Sequence, residues 1–324
     1  MQILREALAR LEVGPQKTFA GLTHFPLLGD SVRRPEYATL DEAIEQGWLE
    51  VREVSEAGSV PELTVVNKGD RAVLLMDGEE LTGAKQNRVL NLTILAPAGK
   101  TLVVPVSCVE QGRWASQSIA MASSPSTLYS RLRRSKMASV SAAYQRCGRP
   151  RSDQSALWRE LACKSMDLKV DSPTGAMADI YEQQGRRIGD YERAFEPVEG
   201  QCGAMFAIGD RLMGFEVFEH PDFLAKMFRK VVRSYALDAI GVHETETVPT
   251  EQAARAFLDE VAGGRTESFP AVGLGEDIRI SGDRITGAAL VSGDHLVHLC
   301  AFRTEDEGSG GPGSRILRAS LRRR

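Results

Sequence analysis

The chain has 324 residues, 42% hydrophobic, 26% charged and 6% aromatic, with a net charge of −4. That length allows one large domain or two ordinary ones with a sizeable core, and those totals mark neither a disordered chain nor a nucleic-acid binder. The opening "MQILREALAR" carries charges in its first turns, and no run reaches the roughly 18 apolar residues that span a bilayer, so neither a signal peptide nor a membrane anchor is expected.

The five cysteines, Cys108, Cys147, Cys163, Cys202 and Cys300, are odd in number and scattered. No C-x-x-C pair occurs, which argues against a disulfide framework and a structural zinc finger and for a reducing, cytoplasmic compartment.

From about Trp48 to Ser107 the pattern is mostly β. "WLEVREV" alternates, "LTVVNKGDRAVLLM" is two runs around an Asn-Lys-Gly-Asp turn, and "RVLNLTILAPAGKTLVVPVSC" is two more around Pro-Ala-Gly-Lys. Turns this short join antiparallel neighbours, because a parallel pair needs a crossover of about a dozen residues. Three helical segments are expected next, near Ser126–Arg146, Gln154–Leu168 and Gly175–Ala194.

A hairpin follows at Ala204–Phe218, with Gly209-Asp210 as its turn. From Pro221 to Ile240 a broad apolar stripe (Phe223, Leu224, Met227, Phe228, Val231, Val232, Tyr235) predicts the clearest helix of the chain. A second, Glu251–Val261, starts behind Thr250 as N-cap, and three strands around Gly-Asp turns complete the pattern. The fold class is therefore α+β: an antiparallel sandwich or partly closed barrel, a helical middle, and a second β-plus-helix block. Three regions are expected: 1–124, 125–303, and a flexible basic tail at 304–324, "RILRASLRRR" after a Gly/Ser/Pro linker. The two β-plus-helix blocks also leave an ancient duplication open.

The segment "DGEELTGAKQNR", Asp77–Arg88, is far longer than a hairpin turn needs and is crowded with charges and amides. In a simple meander the ends of "AVLLM" and "LVVPVSC" would open onto one rim of the sheet. Lys85, Gln86, Asn87 and Arg88 would then face Glu110, Arg113 and Trp114, with Glu80 beside them. Arginines grip phosphate or carboxylate, amides read polar edges and an indole stacks, which suits an anionic, nucleotide-like small molecule. Glu80 and Glu110 are the acid/base candidates, and the same carboxylates leave a divalent metal ion open as cofactor. The alternative is a salt-bridged loop packed on its neighbour, in effect an interaction scaffold.

Those motifs, "LLMDGEELTGAKQNRVLNLTILAP" and "VPVSCVEQGRW", resemble a bacterial and archaeal family named for its association with ADP-ribosylglycohydrolases and rhodanese-phosphatases. The resemblance runs from about Phe25 to "HLVHLCAF" and implies a role near NAD-derived or ADP-ribose-type nucleotides; it transfers no catalytic residue.

A second reading rests on charge. Between Gln111 and Ser152 there is no acidic residue. Arg131, Arg133 and Arg134 there offer RNA or phosphate contact, against the plainer reading of a solvated helix. No P-loop, no G-x-G-x-x-G after a strand, no nucleophile elbow and no H-E-x-x-H motif occurs. His295 and His298, three apart on a strand, face opposite sides and do not share a metal directly.

Overall fold

The computed structural model describes residues 2–29, 36–242 and 245–304. The basic tail expected beyond residue 304 lies outside the described residues. In chain order the elements are α1 (Gln2–Ala9), β1 (Glu12–Val13), β2 (Lys17–Phe19), β3 (Leu22–Leu28), β4 (Ala38–Thr39) and α2 (Leu40–Glu45). Then come β5 (Leu49–Glu53), β6 (Glu62–Asn67), β7 (Val73–Leu75), β8 (Glu79–Gly83), β9 (Arg88–Leu90), β10 (Ile94–Ala96), β11 (Thr101–Cys108) and β12 (Met121–Thr127). The helical middle is α3 (Ser130–Cys147), α4 (Gln154–Asp167), α5 (Met177–Gln183) and α6 (Gly185–Ala194). β13 (Gln201–Ile208), β14 (Arg211–Phe218), α7 (Pro221–Ala239), α8 (Glu251–Gly263), β15 (Arg265–Pro270), β16 (Glu276–Ser281), β17 (Ile285–Ser292) and β18 (His295–Arg303) follow.

The class is α+β, and the sheets are mostly antiparallel. β12-β8-β9-β11-β6-β5 form a curled half-barrel, β10-β7-β4 a small sheet whose β4–β7 pair is parallel, and the remaining strands a nine-stranded sheet. In that large sheet β3 pairs with β13 along its whole length. Residues 12–28 therefore pair with the C-terminal strands rather than with the half-barrel, and residue 124 falls inside β12.

One face of the large sheet is covered by α1 and α8, whose Leu4, Leu8, Phe257 and Leu258 pack on Phe25, Met205, Phe215 and Leu299. The other face carries α7, where Phe228, Val231, Val232 and Tyr235 pack on Phe206 and Phe302. Alternation along each strand sorts side chains between these two cores. The half-barrel encloses a third core, closed by α2 with Leu40 and Ala43.

α7 begins at Pro221, with the His220 ring accepting from the Asp222 N–H as cap. It is buried on nearly every side, so its polar residues must find partners. Lys230 reaches Glu79 on β8 and Ser234 donates to the Leu128 carbonyl. Thus α7 bolts the half-barrel to the large sheet.

The expected helix at Ser126–Arg146 starts four residues later, because Met121–Thr127 forms β12. The expected Gly175–Ala194 helix is two helices, α5 and α6, meeting at Gln184. No helix among the described residues is long and apolar enough to cross a membrane.

Candidate functional site

The segment read as a decorated loop is a buried strand and its two turns. Asp77-Gly78 turns the chain, with Gly78 at φ 82°, and a Cβ there would meet the Arg133 side chain at 2.9 Å. Glycine is required on both counts. Asp77, Glu79 and Glu80 are all buried, and each goes to a different part of the molecule. Asp77 accepts from Arg133 (3.3 Å) and from Lys136 on α3. Glu79 accepts from Lys230 of α7 at 2.7 Å and from the Met76 N–H. Glu80 accepts from Ser124 on β12 at 2.8 Å.

The two motifs do meet, by a route other than the expected one. β7, which delivers Asp77, belongs to the small sheet, so the simple meander does not exist. Instead β9 pairs directly with β11, Arg88 opposite Cys108, which brings Gln86 and Asn87 to Glu110. Arg113 sits in the middle. Its guanidinium donates to both Glu110 oxygens (2.8 and 2.6 Å), to Asn87 Oδ1 (3.1 Å), and to the carbonyls of Ala84 (2.7 Å) and Ala115 (3.0 Å).

Glu110 also accepts from the Asn87 N–H and from Thr174 Oγ1, each at 3.0 Å. Burial opposes its ionisation, but Arg113 and these donors outweigh it and hold its carboxyl below the usual carboxylate range. Gln86 bonds the Glu110 carbonyl, and Arg88 Nη1 bonds Gln86 Oε1 at 2.9 Å.

Of the residues expected to hold ligand, Gln86, Asn87, Arg88 and Arg113 are buried and bonded to one another, so none presents an open fork or amide edge to solvent. Lys85 and Trp114 do reach the surface: the indole is 47% exposed, with Lys85 Nζ 5.5 Å and Arg88 Cζ 5.6 Å from its ring centre. Arg133, expected to contact RNA, is wholly buried and paired with Asp77 and Glu216 (2.5 Å), which corrects that expectation. Arg131 is exposed and Arg134 half-buried.

Glu80 is buried like Glu110 but differs from it in charge balance. Burial pushes its carboxyl up to about 7, against the lowering hydrogen bond from Ser124, and the charge of Glu110 adds to the rise. Its Oε1 has no partner. Around it lie groups that the sequence did not single out. The β12–β8 register shifts between Ser123 and Thr127, so Ser124, Pro125 and Ser126 form a bulge with both serines buried, a common device beside functional sites.

The Ser126 N–H bonds Ser124 Oγ at 3.2 Å, and Ser126 Oγ accepts from Arg233 of α7 at 3.1 and 3.3 Å. Arg233 also pairs with Glu192 (3.1 Å) and lies over the Tyr181 ring. "MASSPST" has no apolar alternation, and only Pro125 hinted at an irregular edge strand.

A surface cleft of about 770 Å³ lies elsewhere, lined by Tyr37, Arg71, Glu219 and His295 among others. Glu36, Asp70 and Glu219 outnumber its one guanidinium, so its field disfavours phosphate. It shares no lining residue with the rim or with the surroundings of Glu80.

No curated protein and no solved structure matches this chain. Residues 10–302, almost the whole chain, match the family model described as the ARG and Rhodanese-Phosphatase-superfamily-associated Protein domain, and the chain belongs to that family.

Proposed function

We propose that this protein binds a phosphorylated nucleotide of the NAD or ADP-ribose type and acts on it by proton transfer at Glu80. The observation that carries this reading is the Glu80 carboxyl itself: buried, pushed up to about 7, and holding one oxygen without a partner. Glu110, by contrast, has both carboxylate oxygens filled by Arg113, Asn87 and Thr174. An acid near the operating pH with a free oxygen is what general acid/base work requires.

Glu110 is then the strut that fixes the Gln86–Arg88 turn. Ser124, Ser126 and Arg233 are bonded to Glu80, to one another and to Glu192 and hold the bulge in shape, while Lys85 and Trp114 offer a cation and a stacking face at the surface. The nucleotide class is the expectation attached to the family resemblance in the sequence, and it is the part of the proposal that the titration below tests first.

The test is a thermal-shift titration of the full chain with ADP-ribose and NAD, followed by product analysis. Both wild type and Glu80→Gln are expected to bind, and wild type alone to turn over. Equal turnover by Glu80→Gln, or no shift with any nucleotide, refutes the reading.

Glu80 also makes a pH prediction. Its folded value lies above its unfolded one of about 4.3, so the protonated form is favoured on folding. Its contribution to stability is complete below the unfolded value and is lost as pH rises from there through about 7. At pH 9 Glu80→Gln is expected to be more stable than wild type by about 3 kcal/mol, and at pH 4 nearly equal. Denaturant titrations at the two pH values measure this; a variant less stable than wild type at pH 9 contradicts it.

A second reading has one observation of its own. Val60, Trp114 and Ile119 are exposed apolar side chains, and Arg88 links the first two, bonding the Val60 carbonyl and lying against the indole. That face suits an interaction scaffold; a partner lost on Trp114→Ala, with no nucleotide shift, selects it.

A further inference from the structure

We propose that Glu216, His298 and Cys300 form a structural site for a transition-metal ion of the zinc class, buried where the large sheet meets α7. β14 pairs with β18 so that Glu216 stands opposite Cys300 and Phe218 opposite His298. Residues two apart on a strand share a face, so all three ligand side chains point into the core beneath α7. Their donor atoms lie within 4.8 Å of one another, and all three residues are buried.

Two features beyond proximity point to an ion. Thr93 Oγ1 holds His298 Nδ1 at 2.9 Å, leaving Nε2 aimed at Glu216 Oε2, 2.8 Å away. A metal-ligating histidine is oriented in this way through its far nitrogen. The hydroxyl of Tyr235, on the overlying helix, is buried and has no hydrogen-bond partner, and the charges that bear on it include Glu216, Arg133 and Cys300.

The niche for that hydroxyl is kept by Gly214, two residues before Glu216, where a Cβ would stand 2.8 Å from it. A carboxylate, an imidazole and a thiolate are all ligand types of zinc, whereas magnesium and calcium take oxygen alone.

Charge is accommodated on the far side of Glu216. Arg133 holds Oε1 at 2.5 Å and reaches Oε2 only at 3.4 Å, and Oε2 is the oxygen that faces His298, so Oε2 is the ligand atom. Binding removes the Cys300 thiol proton, and the ion takes the place of the His298–Glu216 hydrogen bond; no electron is transferred. The consequence is a clamp joining the large sheet to the Thr93 segment of the half-barrel side, a role independent of the function proposed for Glu80.

The test uses the full chain with the exposed Cys147 and Cys163 changed to serine, so that surface thiols do not compete. Elemental analysis is expected to find one zinc per chain, and a strong chelator to lower Tm. Cobalt(II) exchanged into the site should give a thiolate-to-cobalt charge-transfer band that disappears in Cys300→Ser and weakens in His298→Gln. Metal-free protein whose Tm ignores chelator and which shows no cobalt band overturns the proposal, as does a band that survives Cys300→Ser. The wild-type metal content and chelator response decide the matter even where the serine variant does not fold.

Discussion

Arg133→Ala is expected to prevent the chain from folding, or to leave it at the edge of unfolding at room temperature. Arg133 is wholly buried and joins Asp77 at the β8 turn to Glu216 on β14, with Lys136 as a second cation on Asp77. Its ring neighbour is Phe302, 5.4 Å from the guanidinium, so water cannot replace it.

Removing one partner of a buried pair leaves the other charge uncompensated, at a cost of about 3–5 kcal/mol. Here Glu216 loses its guanidinium and Asp77 keeps only Lys136, against a total stability of about 5–15 kcal/mol for a typical domain. Circular dichroism and denaturant titration of the variant measure the effect. Arg133→Met with Glu216→Gln, which removes the charge on both sides, is expected to recover part of the loss. A single variant that loses less than about 1 kcal/mol would show that the network is solvated and not closed.

Arg113→Ala is expected to cost about 3–5 kcal/mol for the same reason at the other end of the half-barrel. An exposed, ligand-gripping arginine would give the opposite result: lost binding and almost unchanged stability. The geometry selects the first outcome, because Arg113 is 9% exposed and every donor direction used leads to Glu110, Asn87 or a turn carbonyl. Without it Glu110 remains buried with only the Asn87 N–H and Thr174, and the Ala84–Asn87 turn loses its centre. Urea titration separates the two: a midpoint shift below a few tenths of a unit of denaturant would return Arg113 to the ligand-binding role.

The helices were largely legible in the sequence. α4, α7 and α8 each show apolar periodicity and a local start signal, Asp153, Pro221 and Thr250, which act within one turn of themselves. The β13–β14 and β17–β18 hairpins were legible for a similar reason, since Gly209 and Gly293 take positive φ at their turns. Two failures show the limit of local signals. The end of β12 was read as helix and its start was given no element, because "MASSPST" has small polar residues that suit neither pattern. β8 was read as loop because Glu79 and Glu80 are rare in buried strands.

What the sequence determined by itself was the class, the antiparallel hairpins of the large sheet and the helices α7 and α8. Each follows from backbone geometry and from contacts near in the chain. The expected β6–β7 and β10–β11 hairpins, by contrast, fall in different sheets, and the Gln86–Arg88 and Glu110–Trp114 segments meet through β9–β11 pairing. Which charges would be buried was decided only by the tertiary structure. Glu79 is neutralised by Lys230, 151 positions away, and Arg133 by Glu216, 83 away, while Glu80 faces a bulge whose Ser124 hydroxyl serves Oε2 and leaves Oε1 without a partner. A charged side chain reads as solvent-facing until its partner is in place, because burial without a counter-charge is too costly, and the partners here come from elements that meet only when the sheets are bolted together by α7.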